Sequence, residues 1–382
     1  MIYLDNAATS FPKPRAVYEE VVRCMMTYGG NPGRGSHALS MLAAEKIYEC
    51  RALAAEFFGV DEPERVFFTL NTTHALNTVL KGLLRVGDHV LISDIEHNAV
   101  YRPIWKLAEE GKITFGTFDS MVKDPERNAA AICADVVRRL HPRTRMIVST
   151  HTSNICSVGM PIRELAALCR KNRIFFVVDG AQSAGHELIS VDEMGIDALC
   201  VPGHKGLYGP QGCGMVILGK GIQLSTLTEG GNGVLSLEGA MPSFSPERYE
   251  AGTLPTPAIA GLYEGLRSVQ TLGVAAIGEY ERSLFRRSAE LLGNTKGIEL
   301  YAPQYEGGTL LFNCKGIDAE NVGRRLNERG ICVRSGYHCS ALGHKTLQTP
   351  TGGAVRVSFG IYNTVSDVER LYEAVREIQN GS

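Results

Sequence analysis

The chain has 382 residues, 44% of them hydrophobic and 21% charged, with a formal net charge of −2. Its length exceeds one ordinary core and predicts two domains, and its near-neutral charge leaves no electrostatic footprint for nucleic acid or an anionic membrane. No apolar run approaches the ~20 residues that span a bilayer, no signal sequence follows Met1, and the ten cysteines include no C-x-x-C pair, so a reduced cytoplasmic protein is expected.

Residues 19–28 and 38–58 carry apolar side chains at helical spacing, and the second segment stops at Gly59. Short β-rich runs then alternate with amphipathic stretches. Strand 65–69 precedes helix 73–84, 89–93 precedes 99–110, 113–118 precedes 128–140, and 146–150 precedes 162–171. Two more strands are expected at 174–178 and 198–201. This alternation predicts an α/β fold, a mainly parallel sheet covered by helices on both faces. Residues 219–256 are rich in Gly, Ser and Pro and read as a long loop. Residues 257–288 are helical in pattern. Strands at 308–314, 331–334 and 354–359, with helices at 319–329 and 366–379, predict a smaller α+β domain. The expected division is a large domain over 14–256 and a small one made of 1–13 with 257–382.

Ligands of such sheets bind beyond the carboxyl ends of the strands, so polar residues should gather there. Five strand ends meet that demand: Asn71-Thr-Thr-His74, Asp94-Ile-Glu-His97, His151-Thr-Ser-Asn154, Asp179-Gly-Ala-Gln182, and the loop 202–214 around Lys205.

Glycine and proline exclude the Lys205 loop from a helix and shape it as a support for one amine. The lysine is either a solvated turn residue or one that forms a Schiff base with a carbonyl cofactor. Asp179 closes an apolar strand, where it either caps a helix or faces a pyridinium nitrogen; a Schiff-base lysine downstream favours the second. Gln182 is a turn residue or a donor to a phenolic oxygen. Thr72 and Thr73 open a helix, whose free N–H groups suit a phosphate, though Thr73 also serves as a plain cap. His97 either makes structural hydrogen bonds or stacks on a flat ring and moves protons. No histidine or cysteine pair has metal-ligand spacing.

Cys339 sits between Arg334 and His344 in a glycine-containing loop, where cationic neighbours favour a thiolate. Cys50, Cys169, Cys200 and Cys332 lie instead in settings that suit inert buried thiols. Arg356, on an otherwise apolar strand, is either surface-facing or a bidentate clamp for a carboxylate.

Together these residues resemble the cysteine desulfurases, among the class V aminotransferase-like, fold-type I pyridoxal-phosphate enzymes. The resemblance runs from Tyr3-Leu-Asp-Asn-Ala-Ala-Thr9 to the segment 356–363, and the form of the Cys339 loop is similar to the group that includes selenocysteine-lyase-like enzymes. It implies that Lys205 binds pyridoxal 5'-phosphate covalently, with Asp179 on the pyridine nitrogen, Gln182 on the phenolic oxygen and His97 over the ring. Thr72, Thr73 and His204 would hold the phosphate, and Thr253 would reach the neighbouring subunit's phosphate in a homodimer. Asn154, Arg356 and Arg334 would orient the substrate carboxylate. Lys205, His97 and Cys339 would then convert L-cysteine to L-alanine, the sulfur passing to Cys339 as a persulfide and on to an acceptor protein. A selenocysteine lyase would share these residues without a strict need for Cys339, and an aminotransferase would not use it. Pro202 and His74 depart from the pattern, standing where relatives carry a Ser or Thr and often a Glu.

Overall fold

The computed structural model describes residues 1–33 and 35–381. The chain opens with strand β1 (Ile2–Tyr3) and helices α1 (Arg15–Arg23) and α2 (Ala38–Phe57). The alternating region follows as β2 (Val66–Thr69), α3 (Thr72–Leu83), β3 (His89–Ser93), α4 (Asn98–Glu109), β4 (Thr114–Phe118) and α5 (Ala129–Arg139). It continues through β5 (Thr144–Thr150), α6 (Ile162–Asn172), β6 (Phe175–Asp179), the short α7 (Val191–Met194), β7 (Ala198–Pro202) and β8 (Gly214–Leu218).

These strands make one seven-stranded sheet in the order β2-β8-β7-β6-β5-β3-β4. The run from β7 to β4 is parallel, whereas β8 runs antiparallel to both its neighbours. Successive side chains on a strand point to opposite faces. Leu91, Ile147, Phe176 and Leu199 therefore pack into one core layer with α2, α5 and α6 residues such as Ile47, Ile132 and Leu165. Val90, Ile92, Val148 and Val177 pack into the other, with Leu76 and Val79 of α3 and Ile104 of α4. Because both faces are covered, the strands read as continuous apolar runs.

Three corrections to the sequence reading concern the less regular parts. Strand β8 lies unannounced between the lysine loop and the long loop, although Met215 to Leu218 is a short buried apolar run. The helical pattern from 257 is two helices, α8 (Thr256–Leu272) and α9 (Val274–Gly293), broken at Gly273, whose φ of +85° suits glycine. The expected strand 331–334 is two strands belonging to different sheets.

The remaining elements are β9 (Ile298–Tyr301), β10 (Thr309–Cys314), α10 (Ala319–Glu328), β11 (Ile331–Cys332), β12 (Arg334–Gly336), α11 (Ala341–Leu347), β13 (Ala354–Ser358) and α12 (Val365–Asn380). Strands β12-β13-β10-β9 form an antiparallel sheet, while β11 pairs in parallel with β1. A second core, containing Leu310, Phe312, Val355, Val357, Val368 and Leu371, fills this part. The N-terminal segment joins the two regions. Ala7 N–H donates to Ser358 Oγ at 2.9 Å, and the Thr9 and Ser10 hydroxyls donate to the His204 carbonyl beside Lys205 at 3.0 and 3.2 Å. Among the described residues, no helix is long and apolar enough to cross a membrane.

Candidate active site

The carboxyl ends of β2, β3, β5, β6 and β7 converge on one cleft with about 500 Å³ of empty volume. Its lining includes Thr72, Thr73, His97, Asn154, Asp179, Gln182, His204 and Lys205. Each reaches the cleft because its strand stops there and a polar turn follows. Asn71 ends the β2 turn by accepting from His74 N–H at 2.9 Å, which starts α3 with the N–H groups of its first residues free. His97 ends the β3 turn in the same way, Nδ1 accepting from Ala99 N–H at 3.0 Å. That bond places the proton of the neutral imidazole on Nε2.

The lysine loop is held from behind by close backbone packing. A Cβ at Gly206 would lie 2.3 Å from the Ala184 carbonyl oxygen, so only glycine fits beside Lys205. Burial pulls the Lys205 amine down to about 8, with the Asp179 carboxylate opposing that shift. Burial pushes the Asp179 carboxyl upward, while the Ala181 N–H at 2.9 Å and the Lys205 charge favour its ionised form. The imidazoles of His97 and His204 are lowered to about 3 and about 4, chiefly by burial and then by Lys205. Both rings are therefore neutral near pH 7. Gln182 Nε2 donates to the Ala7 carbonyl at 3.0 Å, which uses one of its two amide hydrogens.

Glu96, which lies in the His97 turn, has no role in the sequence reading. It is fully buried, accepts from the Ser93 hydroxyl and, at 2.7 Å, from Thr150 N–H, and is pushed up to about 8, first by burial. It is thus largely uncharged near pH 7, and it is tied to the cleft lining through Thr150. Its signal in the sequence is its place in the polar segment Glu96-His-Asn98 after β3.

Arg356 proves to be buried rather than surface-facing. Its Nη1 donates to the Asn154 carbonyl at 3.1 Å and its Nη2 to Asp5 at 2.9 Å, while Nε is buried without a partner. Arg334 is exposed and ion-paired with the same aspartate at 3.2 Å. Asp5 lies inside the 3–9 motif but has no site role in the sequence reading.

Cys339 is exposed and does not line the cleft. It stands at the lip, where its carbonyl accepts from Asn98 N–H at 2.7 Å, one residue from His97. His338 and Cys339 have φ values of +50° and +54°. Two consecutive non-glycine residues in this region cost about 1–2 kcal/mol each, so surrounding contacts must hold them. Cys50, Cys169 and Cys200 are buried, as their settings predicted, whereas Cys332 is partly exposed.

Thr253 lies outside the cleft. It lines another cavity with Asn31, Arg51 and Glu250, and its hydroxyl accepts a long 3.5 Å hydrogen bond from Asn31. Among the described residues, no group of three or more His, Cys, Asp or Glu is placed to hold a metal ion.

Residues 2–371 match the aminotransferase class-V family. A probable cysteine desulfurase of Methanothermobacter thermautotrophicus is 33% identical over 99% of this chain and 94% of its own length. A cysteine desulfurase of Yersinia pestis is 30% identical over 99% of this chain and 93% of its own. The apo structure of a cysteine desulfurase from Thermococcus onnurineus superposes with a TM-score of 0.90 at 29% identity, covering 100% of this chain and 95% of the other.

Proposed function

The chain belongs to the aminotransferase class-V family, and we propose that within it the protein is a pyridoxal-phosphate-dependent cysteine desulfurase that leaves the sulfur on Cys339. The observation that carries this reading is the gathering of Lys205, Asp179 and His97 in one cleft, with Cys339 fastened to its lip through Asn98. The cleft fits the cofactor. Thr72 Oγ1 and His204 Nδ1 are buried polar atoms without partners, and they stand with the free N–H groups at the start of α3, a combination that suits a phosphate. Lys205 is the amine for its aldehyde and Asp179 the anion for its ring nitrogen. Gln182 has one amide hydrogen left for the phenolic oxygen. Bound there, pyridoxal phosphate acts as an electron sink that acidifies the substrate Cα–H and weakens its Cβ–S bond.

The protein's own residues do the rest. Arg356, with its unpartnered Nε, and Asn154 bind the substrate carboxylate, and Arg334 adds positive charge at the entrance. Lys205 Nζ takes the Cα proton, a role that an amine lowered to about 8 performs near neutral pH. Neutral His97 acts as a donor through Nε2. The Cys339 thiolate attacks the substrate sulfur and the Cβ–S bond breaks. Its electron pair stays on the β-carbon, which takes a proton to become the methyl group of alanine, while Cys339 keeps the sulfur as a persulfide. An exposed Cys339 can pass that sulfur to an acceptor protein.

The reading divides the chain into a cofactor-holding part, 14–256, and a part carrying Cys339, 1–13 with 257–382. A second copy of the chain would bring Thr253 to the neighbouring phosphate. The apolar face left open on α1, α2 and the turn between them supports a homodimer: Met25 and Met26 are 68% and 80% exposed and Met41 is 63% exposed. Cysteines free of disulfides suit a reducing cytoplasm.

Incubating the holoenzyme with L-cysteine and a reductant should yield alanine and sulfide in equal amounts. The Cys339→Ala variant should lose that activity while keeping its bound cofactor. Formation of a keto acid in place of alanine would overturn the reading. Full turnover of cysteine by Cys339→Ala would remove the persulfide from it, and turnover of selenocysteine alone would favour the lyase.

A further inference from the structure

Next to Cys339, two histidines form a buried chain that the proposed chemistry does not use. His338 Nε2 lies 3.1 Å from the Arg334 carbonyl oxygen, His338 Nδ1 lies 3.0 Å from His344 Nε2, and His344 Nδ1 lies 2.8 Å from Thr349 Oγ1. The two rings are near-coplanar, 15° apart with centroids 5.2 Å distant, as an in-plane hydrogen bond requires, and Tyr337 packs edge-on against His344.

The proton positions follow from the chain's fixed end. A backbone carbonyl can only accept, so His338 carries its proton on Nε2 and its Nδ1 must accept. His344 then donates through Nε2, its Nδ1 accepts, and the Thr349 hydroxyl donates. Every ring nitrogen is satisfied with both imidazoles neutral. Burial first, and then the cation Arg356 on β13, keeps both rings uncharged, and the Arg334 cation on β12 adds to this at His338.

The chain also has a mechanical consequence. His338 and Cys339 are the two left-handed residues of this loop, and such a backbone persists only where its surroundings over-determine it. Asn154 Nδ2 donates to the His338 carbonyl at 2.9 Å and Asn98 N–H to the Cys339 carbonyl at 2.7 Å, so the main chain is gripped from the cleft side. Away from the cleft the His338 ring is the grip, and it is held between the Arg334 carbonyl at one nitrogen and His344 Nε2 at the other.

We propose that His344, backed by Thr349, is a positioning residue for the nucleophile: its Nε2–H holds Nδ1 of the His338 tautomer set by the Arg334 carbonyl, and so locks the ring's orientation and thereby the backbone that carries Cys339. This rests on Cys339 being the sulfur acceptor. His344 does not line the cleft, and it reaches the Cys339 backbone through the hydrogen bond to His338, with Tyr337 of the same loop packed on its ring. A misplacement of reacting atoms by about 1 Å costs on the order of 100-fold in rate, so loss of this donor should act on turnover more than on binding.

The test compares the holoenzyme with His344→Phe, which keeps the flat ring but removes the donor, and His344→Gln, whose side-chain amide can donate from the Nε2 position. With L-cysteine, His344→Phe should lose about 10- to 100-fold in kcat, with KM and the visible absorbance of the bound cofactor unchanged, and His344→Gln should recover most of the loss. The proposal is overturned if His344→Phe turns over like the parent, or if His344→Gln falls as far as His344→Phe. Nitrogen-15 spectra of the histidine-labelled parent give an independent readout, with His338 and His344 both protonated on Nε2 at neutral pH. A proton on His338 Nδ1 would overturn the inference even if the parent made no alanine, an outcome that would instead remove the desulfurase reading.

Discussion

The carboxylate of Asp5 lies 2.9 Å from Nη2 of Arg356, joining the N-terminal segment to the middle of β13. Burial works against the Arg356 cation, and Asp5 is the first group opposing that effect. Arg356 is buried and Asp5 only partly exposed, so truncating Asp5 strands the buried guanidinium, at a typical cost of about 3 kcal/mol. Asp5→Ala should therefore lower the unfolding free energy by about that amount in urea. The double variant Asp5→Ala with Arg356→Met should regain part of it. If Asp5→Ala unfolds like the parent, the guanidinium is compensated by groups other than Asp5.

Lys205 should capture its cofactor at a lower pH than a solvated lysine. Only the neutral amine attacks an aldehyde, and this amine is lowered from 10.5 to about 8. Pyridoxal phosphate uptake by the apoprotein, followed by its visible absorbance, should rise with pH and level off above about 8. A rise that continues to pH 10 would show that Lys205 is not desolvated. Lys205→Ala should abolish covalent capture by borohydride.

Glu96 should make the protein less stable as pH rises. Its folded value of about 8 exceeds the ordinary 4.5. The folded state therefore holds a proton that the unfolded chain has released, and stability falls between those two values. Each pH unit in that window costs roughly 1.4 kcal/mol at most. Glu96→Gln keeps an uncharged side chain of the same shape. It should flatten the decline measured by urea unfolding between pH 5 and pH 8, and the variant should be the more stable protein at pH 8. Parallel pH profiles for the two proteins would contradict a buried neutral acid.

The parallel sheet and most of the cleft are legible in the sequence for one physical reason. Apolar strands buried on both faces stand out against amphipathic helices, and the turn after each strand is where polar side chains must go. Asp179, His97 and Asn154 are found by that rule alone, before any resemblance is considered. Strand β8 escapes it because it turns back antiparallel without an intervening helix, so no alternation marks it. Segment 331–334 escapes because β11 and β12 leave for different sheets within one apolar run, a division made by tertiary pairing with β1 and β13. Asp5 and Glu96 escape because their importance lies in a distant arginine and in burial, and neither leaves a local pattern. The His338–His344 chain needs a loop residue to meet one inside α11 six residues on, which spacing alone does not specify.

Thr253 gives the sharpest test of assembly, because it lies outside its own chain's cleft and lines a cavity with Asn31 and Arg51. If it serves the partner's phosphate, Thr253→Ala should weaken cofactor binding about tenfold, the worth of one charge-assisted hydrogen bond. Mixed dimers separate the two possibilities. A Lys205→Ala protomer paired with a Thr253→Ala protomer contains one site with Lys205 from one chain and intact Thr253 from the other. That heterodimer should bind one cofactor with the parent's affinity and show about half its activity per dimer, although neither homodimer does so. If Thr253 acted within its own chain, every site would lack one of the two residues, and mixing would restore nothing.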